Sequence, residues 1–127
     1  MSSHVHLLAS SGIYDLSGTL RDFKKFTSKK IIEAIINNEH ESRTEWMLEI
    51  FKRAGKTNSR NTDYQFWRQD NQPKECYSPE FTIQKLNYIH NNPVDAGIVD
   101  RPVDYLYSSA RDYYHKSNCG LLKIDFI

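Results

Sequence analysis

Apolar and polar positions are spaced in two distinguishable ways along the chain. From Leu16 or Ser17 to about Asn37 the period is helical: Leu16, Leu20, Phe23, Ile31 and Ala34 gather on one face, while Arg21, Lys25 and Lys29 recur on the opposite one. A second helical stretch begins at Ser42, where Ser42-Arg43-Thr44-Glu45 has the form of a capping box. Trp46, Ile50, Phe51 and Ala54 supply its apolar stripe, and Gly55 its stop. A third opens with Ser78 as cap and Pro79 in the first turn. Pro93 is expected to end it and to begin a short helix that Gly97 closes, with Asn92 as the cap. Strand-like alternation occupies residues 3–8, with His4, His6 and Leu8 on one side and Val5 and Leu7 on the other, and again Tyr64-Gln65-Phe66-Trp67-Arg68. Residues 102–114 read as partly extended and then helical, and residues 121–127 as a terminal strand or apolar tail. The stretches 9–18, 56–63 and 69–77 are loops by composition.

Composition narrows the setting. A chain of 127 residues fits one domain, spanning 1–127, with a modest core. Its net charge of +1 gives no whole-protein field for gathering polyanions, so nucleic-acid binding needs a local patch. The stripe of Arg21, Lys25 and Lys29 is such a patch, or else a solvated helix face. Cys76 and Cys119 are far apart and lack metal-site spacing, which fits reduced thiols in a cytoplasmic protein. No apolar run is long enough to span a membrane, and no secretory signal is visible.

Candidate chemistry sits at the two ends of the chain. Tyr88 and Asn92 are one helical turn apart, so a phenol and an amide share a face. Pro93 weakens that placement by biasing Asn92 away from helical geometry. His4-Val5-His6 sets two imidazoles on one side of a strand at a spacing suited to one metal ion. Singly, each is ordinary: surface or core histidines, a packing tyrosine, a capping asparagine.

As a set they are more specific. The residues Ser3-His4-Val5-His6-Leu7-Leu8, Leu20-Arg21-Asp22-Phe23-Lys24-Lys25-Phe26-Thr27, Phe66-Trp67-Arg68-Gln69-Asp70-Asn71, the run Tyr88-Ile89-His90-Asn91-Asn92-Pro93-Val94-Asp95-Ala96-Gly97-Ile98-Val99, and Tyr105-Leu106-Tyr107-Ser108-Ser109-Ala110 together resemble the single-stranded-DNA tyrosine transposases with a His-hydrophobic-His motif, in particular the REP-associated branch. The resemblance covers nearly the whole chain. It implies an α+β fold, a ferredoxin-like antiparallel sheet carrying the HxH strand and packed by helices. Relatives place a strand, a helix and a strand before that motif, and the resemblance implies that these elements are missing here. It further implies that Tyr88 is the nucleophile and that His4, His6 and Asn92 bind magnesium or manganese. The implied activity cleaves and rejoins single-stranded or hairpin-forming DNA through a 5′-phosphotyrosine. The family includes homodimers and monomers. Two rival expectations are a non-catalytic DNA-binding remnant and a metal-dependent hydrolase using the HxH pair.

Overall fold

The computed structural model describes residues 4–12, 15–57, 63–69 and 71–127. Among them there are four α-helices, α1 (Leu16–Ile36), α2 (Thr44–Lys56), α3 (Pro79–Asp95) and α4 (Ala110–His115), a 3-10 turn at Pro102–Asp104, and no strand. The expected α+β, ferredoxin-like sheet is therefore overturned: the described chain is all-helical. Residue 3 of the HxH stretch, residues 13–14 and 58–62 of two expected loops, and Asp70 of the tryptophan-containing run lie outside the described residues. The contacts divide the chain into two units, residues 10–73 and residues 1–9 with 74–127.

In the 10–73 unit, α1 starts where its pattern places it. The Asp15 side chain accepts the Ser17 N–H at 2.9 Å, satisfying one of the orphan donors of the first turn. The residue that α1 buries is Ile32, next to the expected Ile31. Two isoleucine doublets, Ile31-Ile32 and Ile35-Ile36, leave the apolar period ambiguous by one residue, and packing chooses. The expected capping box does not form. Helix α2 begins at Thr44 with Arg43 in the cap position, and Ser42 lies outside it. The Glu41 carboxylate takes the Arg43 N–H instead, at 3.0 Å. Nor does Gly55 stop the helix. It lies buried inside α2, where a Cβ would come within 2.9 Å of the Asp63 carbonyl, so glycine is required for close backbone approach.

The aromatic run 64–68 is not the expected strand. Both other elements among the described residues of its unit are helices, so no strand lies among them to complete a ladder. Its β-forming residues serve the half-buried packing that such side chains suit. Phe66 meets Phe51 of α2 at 5.3 Å between ring centroids, and Trp67 meets Phe23 of α1 at 6.2 Å. The run is tied by polar bonds as well: Gln65 N–H to the Phe51 carbonyl (2.9 Å), the Trp67 indole N–H to Thr27 Oγ1 (2.9 Å), and Lys24 Nζ to the Arg68 carbonyl (2.9 Å).

The second unit is organised by α3. The Ser78 hydroxyl accepts the Phe81 N–H and Pro79 occupies the first turn, as its sequence implies. Pro93 does not end the helix, which continues to Asp95. Leu86, His90 and Pro93 form its buried face at i, i+4 and i+7, and the Pro93 ring is fully buried. That burial offsets the hydrogen bond that proline cannot make. Asn92 is consequently helical and caps nothing; its carbonyl accepts the Ala96 N–H at 3.0 Å. The real stop is a Schellman turn. Ile98 N–H reaches the Pro93 carbonyl (2.9 Å), Gly97 N–H reaches Val94 (2.8 Å), and Gly97 adopts φ 67°.

The residues after α3 fold back onto it. His90 Nε2 lies 2.9 Å from Ser109 Oγ, and the His90 ring packs against Tyr113 at 5.4 Å. Asp112 of α4 is 1% exposed, and its Oδ1 accepts the N–H groups of Cys119 (2.8 Å) and Gly120 (2.7 Å). Residues 121–127, an expected strand or apolar tail, form no strand. Tyr113 holds them through its ring contact with Phe126 and its hydroxyl, which accepts the Ile127 N–H at 3.3 Å. The expected extended stretch after residue 101 is instead the 3-10 turn, which packs against α3 and α4.

Candidate active site

Residues 4–9 and α3 belong to the same unit. Residues 4–8 are irregular, so the alternation of a strand does not orient the two imidazoles; nevertheless their rings lie together, centroids 4.9 Å apart and nearly perpendicular. The His6 ring stands edge-on to Tyr88, with centroids 5.6 Å apart. A histidine near the start of the chain thus meets a tyrosine in the middle of α3, so His4, His6 and Tyr88 are neighbours on one unit despite the missing sheet. Asn92 lies one turn further along α3 on the Tyr88 face.

Two polar atoms in this group have no hydrogen-bond partner among the described residues and are shielded from solvent: Nε2 of His6 and Nδ2 of Asn92. Such orphans are uncommon in folded proteins because a buried, unmatched polar group costs about 1–3 kcal/mol. Burial holds the His6 imidazole below its usual range, and the neighbouring His4 lowers it further. Both effects favour the neutral imidazole, whose lone pair suits a cation. The carboxamide of Asn92 supplies an oxygen after a half-turn about its terminal bond. Two imidazoles and an amide are chemically able to hold a divalent ion while leaving positions for other ligands. Among the described residues no group of three or more His, Cys, Asp or Glu side chains does so.

Tyr88 is 53% exposed, so the residue is within reach of a large substrate. Lys85, one turn before it, places Nζ 5.9 Å from the Tyr88 ring centroid and 4.8 Å from that of Phe81. Lys85 belongs to no motif named from the sequence, although its i, i+3 spacing from Tyr88 is a visible signal. The basic stripe belongs to the other unit. Arg21, Lys25 and Lys29 are all exposed on α1, as expected, but Arg21 is bound to Asp22 at 2.9 Å, which offsets its charge. No protein-family profile, no curated protein and no solved structure matches the chain.

Proposed function

We propose that the protein is a DNA strand transferase that uses Tyr88 as nucleophile on single-stranded or hairpin-forming DNA. The observation that carries the reading is the contact between His6 and Tyr88, which joins the two candidate motifs at one place. In this reading the Tyr88 oxygen attacks a backbone phosphorus. The new Tyr88 O–P bond replaces the P–O3′ bond, the phenolic proton passes to solvent, and the departing 3′ oxygen takes up a proton. A 5′-phosphotyrosine and a free 3′-hydroxyl result. Because the phosphodiester is exchanged rather than hydrolysed, attack by a 3′-hydroxyl reverses the step without ATP. His4, His6 and Asn92 would hold magnesium or manganese, which supplies charge to offset that developing on the phosphate.

The test is a covalent adduct. Labelled hairpin oligonucleotide is incubated with protein and manganese, then resolved under denaturing conditions. Unmutated protein, Tyr105→Phe and Tyr107→Phe should each retain label, and Tyr88→Phe should retain none. Label persisting on Tyr88→Phe would overturn the assignment. Strand cleavage without any adduct would identify a hydrolase using water. Binding with neither cleavage nor adduct would identify a DNA-binding protein without the chemistry.

A further inference from the structure

The face of α3 that carries Tyr88 continues toward the start of the helix and just beyond it. Tyr77, Phe81, Lys85 and Tyr88 follow one another at intervals of three or four residues, so they form a single row. Tyr77 and Phe81 are stacked, with ring centroids 4.7 Å apart and planes 18° from parallel. The Lys85 ammonium stands over both Phe81 and Tyr88. Tyr77 is 77% exposed, so its ring presents π-surface to solvent. Beside it opens a cleft of about 370 Å³ bordered by Thr82, Ile83 and Ile127.

We propose that this row is a track for single-stranded nucleic acid that feeds the strand to Tyr88. The inference rests on the reading of Tyr88 as the site of DNA chemistry and adds the residues that receive the neighbouring nucleotide. Aromatic surface beside a positive charge matches what a single strand offers: a stackable base beside a phosphate. Binding of this kind tolerates any sequence, because every base has a π-face. Tyr77 supplies the stacking surface, and Lys85, held by the two rings, supplies charge for the phosphate next to the scissile one. A chain with a net charge of only +1 needs such a local arrangement to hold a strand.

Tyr77 also precedes the Ser78 cap, so its contact with Phe81 helps fix the entry into α3. Tyr77→Leu keeps that apolar contact and removes the π-face; Tyr77→Phe keeps both. Binding of a fluorescein-labelled oligothymidine of about ten nucleotides, within the usual site size, is measured by anisotropy. The Tyr88→Phe chain in EDTA serves as background, so neither adduct nor metal contributes. Tyr77→Leu should weaken binding roughly tenfold and Tyr77→Phe should not, the size expected for one base–aromatic stack. Lys85→Met should flatten the log–log salt dependence by about 0.7, one single-strand phosphate contact. With Tyr77 intact, 5-iododeoxyuridine in the oligonucleotide should photocrosslink to Tyr77, a readout that no folding defect can mimic. Undiminished affinity in Tyr77→Leu, an unchanged salt slope in Lys85→Met, or crosslinks confined to other residues would overturn the track. If no adduct forms with the unmutated protein while these dependences persist, the tyrosine chemistry fails and the track stands. If adduct formation is indifferent to Tyr77→Leu, the reverse holds.

Discussion

Gly97 and Lys116 share a left-handed backbone, at φ 67° and 51°, and substitution should move stability in opposite directions at the two positions. A Cβ at Gly97 would touch nothing within 4 Å, so the cost of Gly97→Ala is conformational alone, about 1 kcal/mol. Lys116, the C-cap of α4, already bears that cost, and Lys116→Gly should stabilise by roughly 0.5–1 kcal/mol. Urea unfolding of both variants checks the pair; shifts of the same sign would contradict it. Burial gives His90 a pH signature. Desolvation lowers its pKa from 6.5, so the unfolded chain binds a proton that the folded chain refuses. Stability should therefore fall as pH drops below about 6.5 and level off only beneath the lowered folded value. His6 is shifted in the same direction. Unfolding midpoints compared at about pH 8 and about pH 5.5 should differ less for His90→Gln than for the unmutated chain, since His90→Gln removes one of the titrating groups.

At the level of elements, the helix starts separate what a motif says from what a cap does. Ser78 accepts a backbone N–H at the head of α3, so Ser78→Ala should cost about 1 kcal/mol. Ser42 stands outside α2, and Ser42→Ala should change stability by less than about 0.5 kcal/mol. Chemical denaturation of the two variants reads the contrast directly. The α1 stripe makes a second prediction at this scale. Asp22 offsets Arg21, so removing Lys25 and Lys29 together should flatten the salt dependence of DNA binding nearly as much as removing all three. The slope of log affinity against log salt is the measurement. An unchanged slope in the triple variant would make the stripe a solvated face.

For the whole molecule, a metal ion held by the candidate ligands would couple binding to folding, because His4 and His6 precede α3 by most of the chain. An ion held by both segments would bind the folded form alone. Manganese at about 100 times its dissociation constant should then stabilise by about 2.7 kcal/mol. Thermal unfolding with and without manganese should show this rise in the unmutated chain and lose it in His6→Ala and in Asn92→Ala. A rise that survives both substitutions would place the ion elsewhere. Among the described residues no helix is long and apolar enough to cross a membrane, as the absence of a long apolar run implies.

What the amino-acid order determined by itself is local. The extent of α1, the Ser78-Pro79 opening of α3, the Gly97 turn and the shared face of Tyr88 and Asn92 follow from periodicity, capping and glycine conformation, all of which act over a few residues. The absence of the expected strands was not legible, because alternation at 3–8 and 64–68 records only that side chains point two ways; a ladder needs a partner, and none lies among the described residues. Pro93 shows the same limit from the other side. Its local preference is to stop a helix, and burial of its ring beside Leu86 and His90 outweighs that preference. Spacing alone showed only that His4 and His6, and Tyr88 and Asn92, form two pairs; their grouping as a candidate site came from the resemblance of the whole set, and the contact of His6 with Tyr88 was decided by tertiary structure alone. Bringing such distant residues together depends on how the segments between them pack, and packing is a property of the folded chain rather than of any stretch of it.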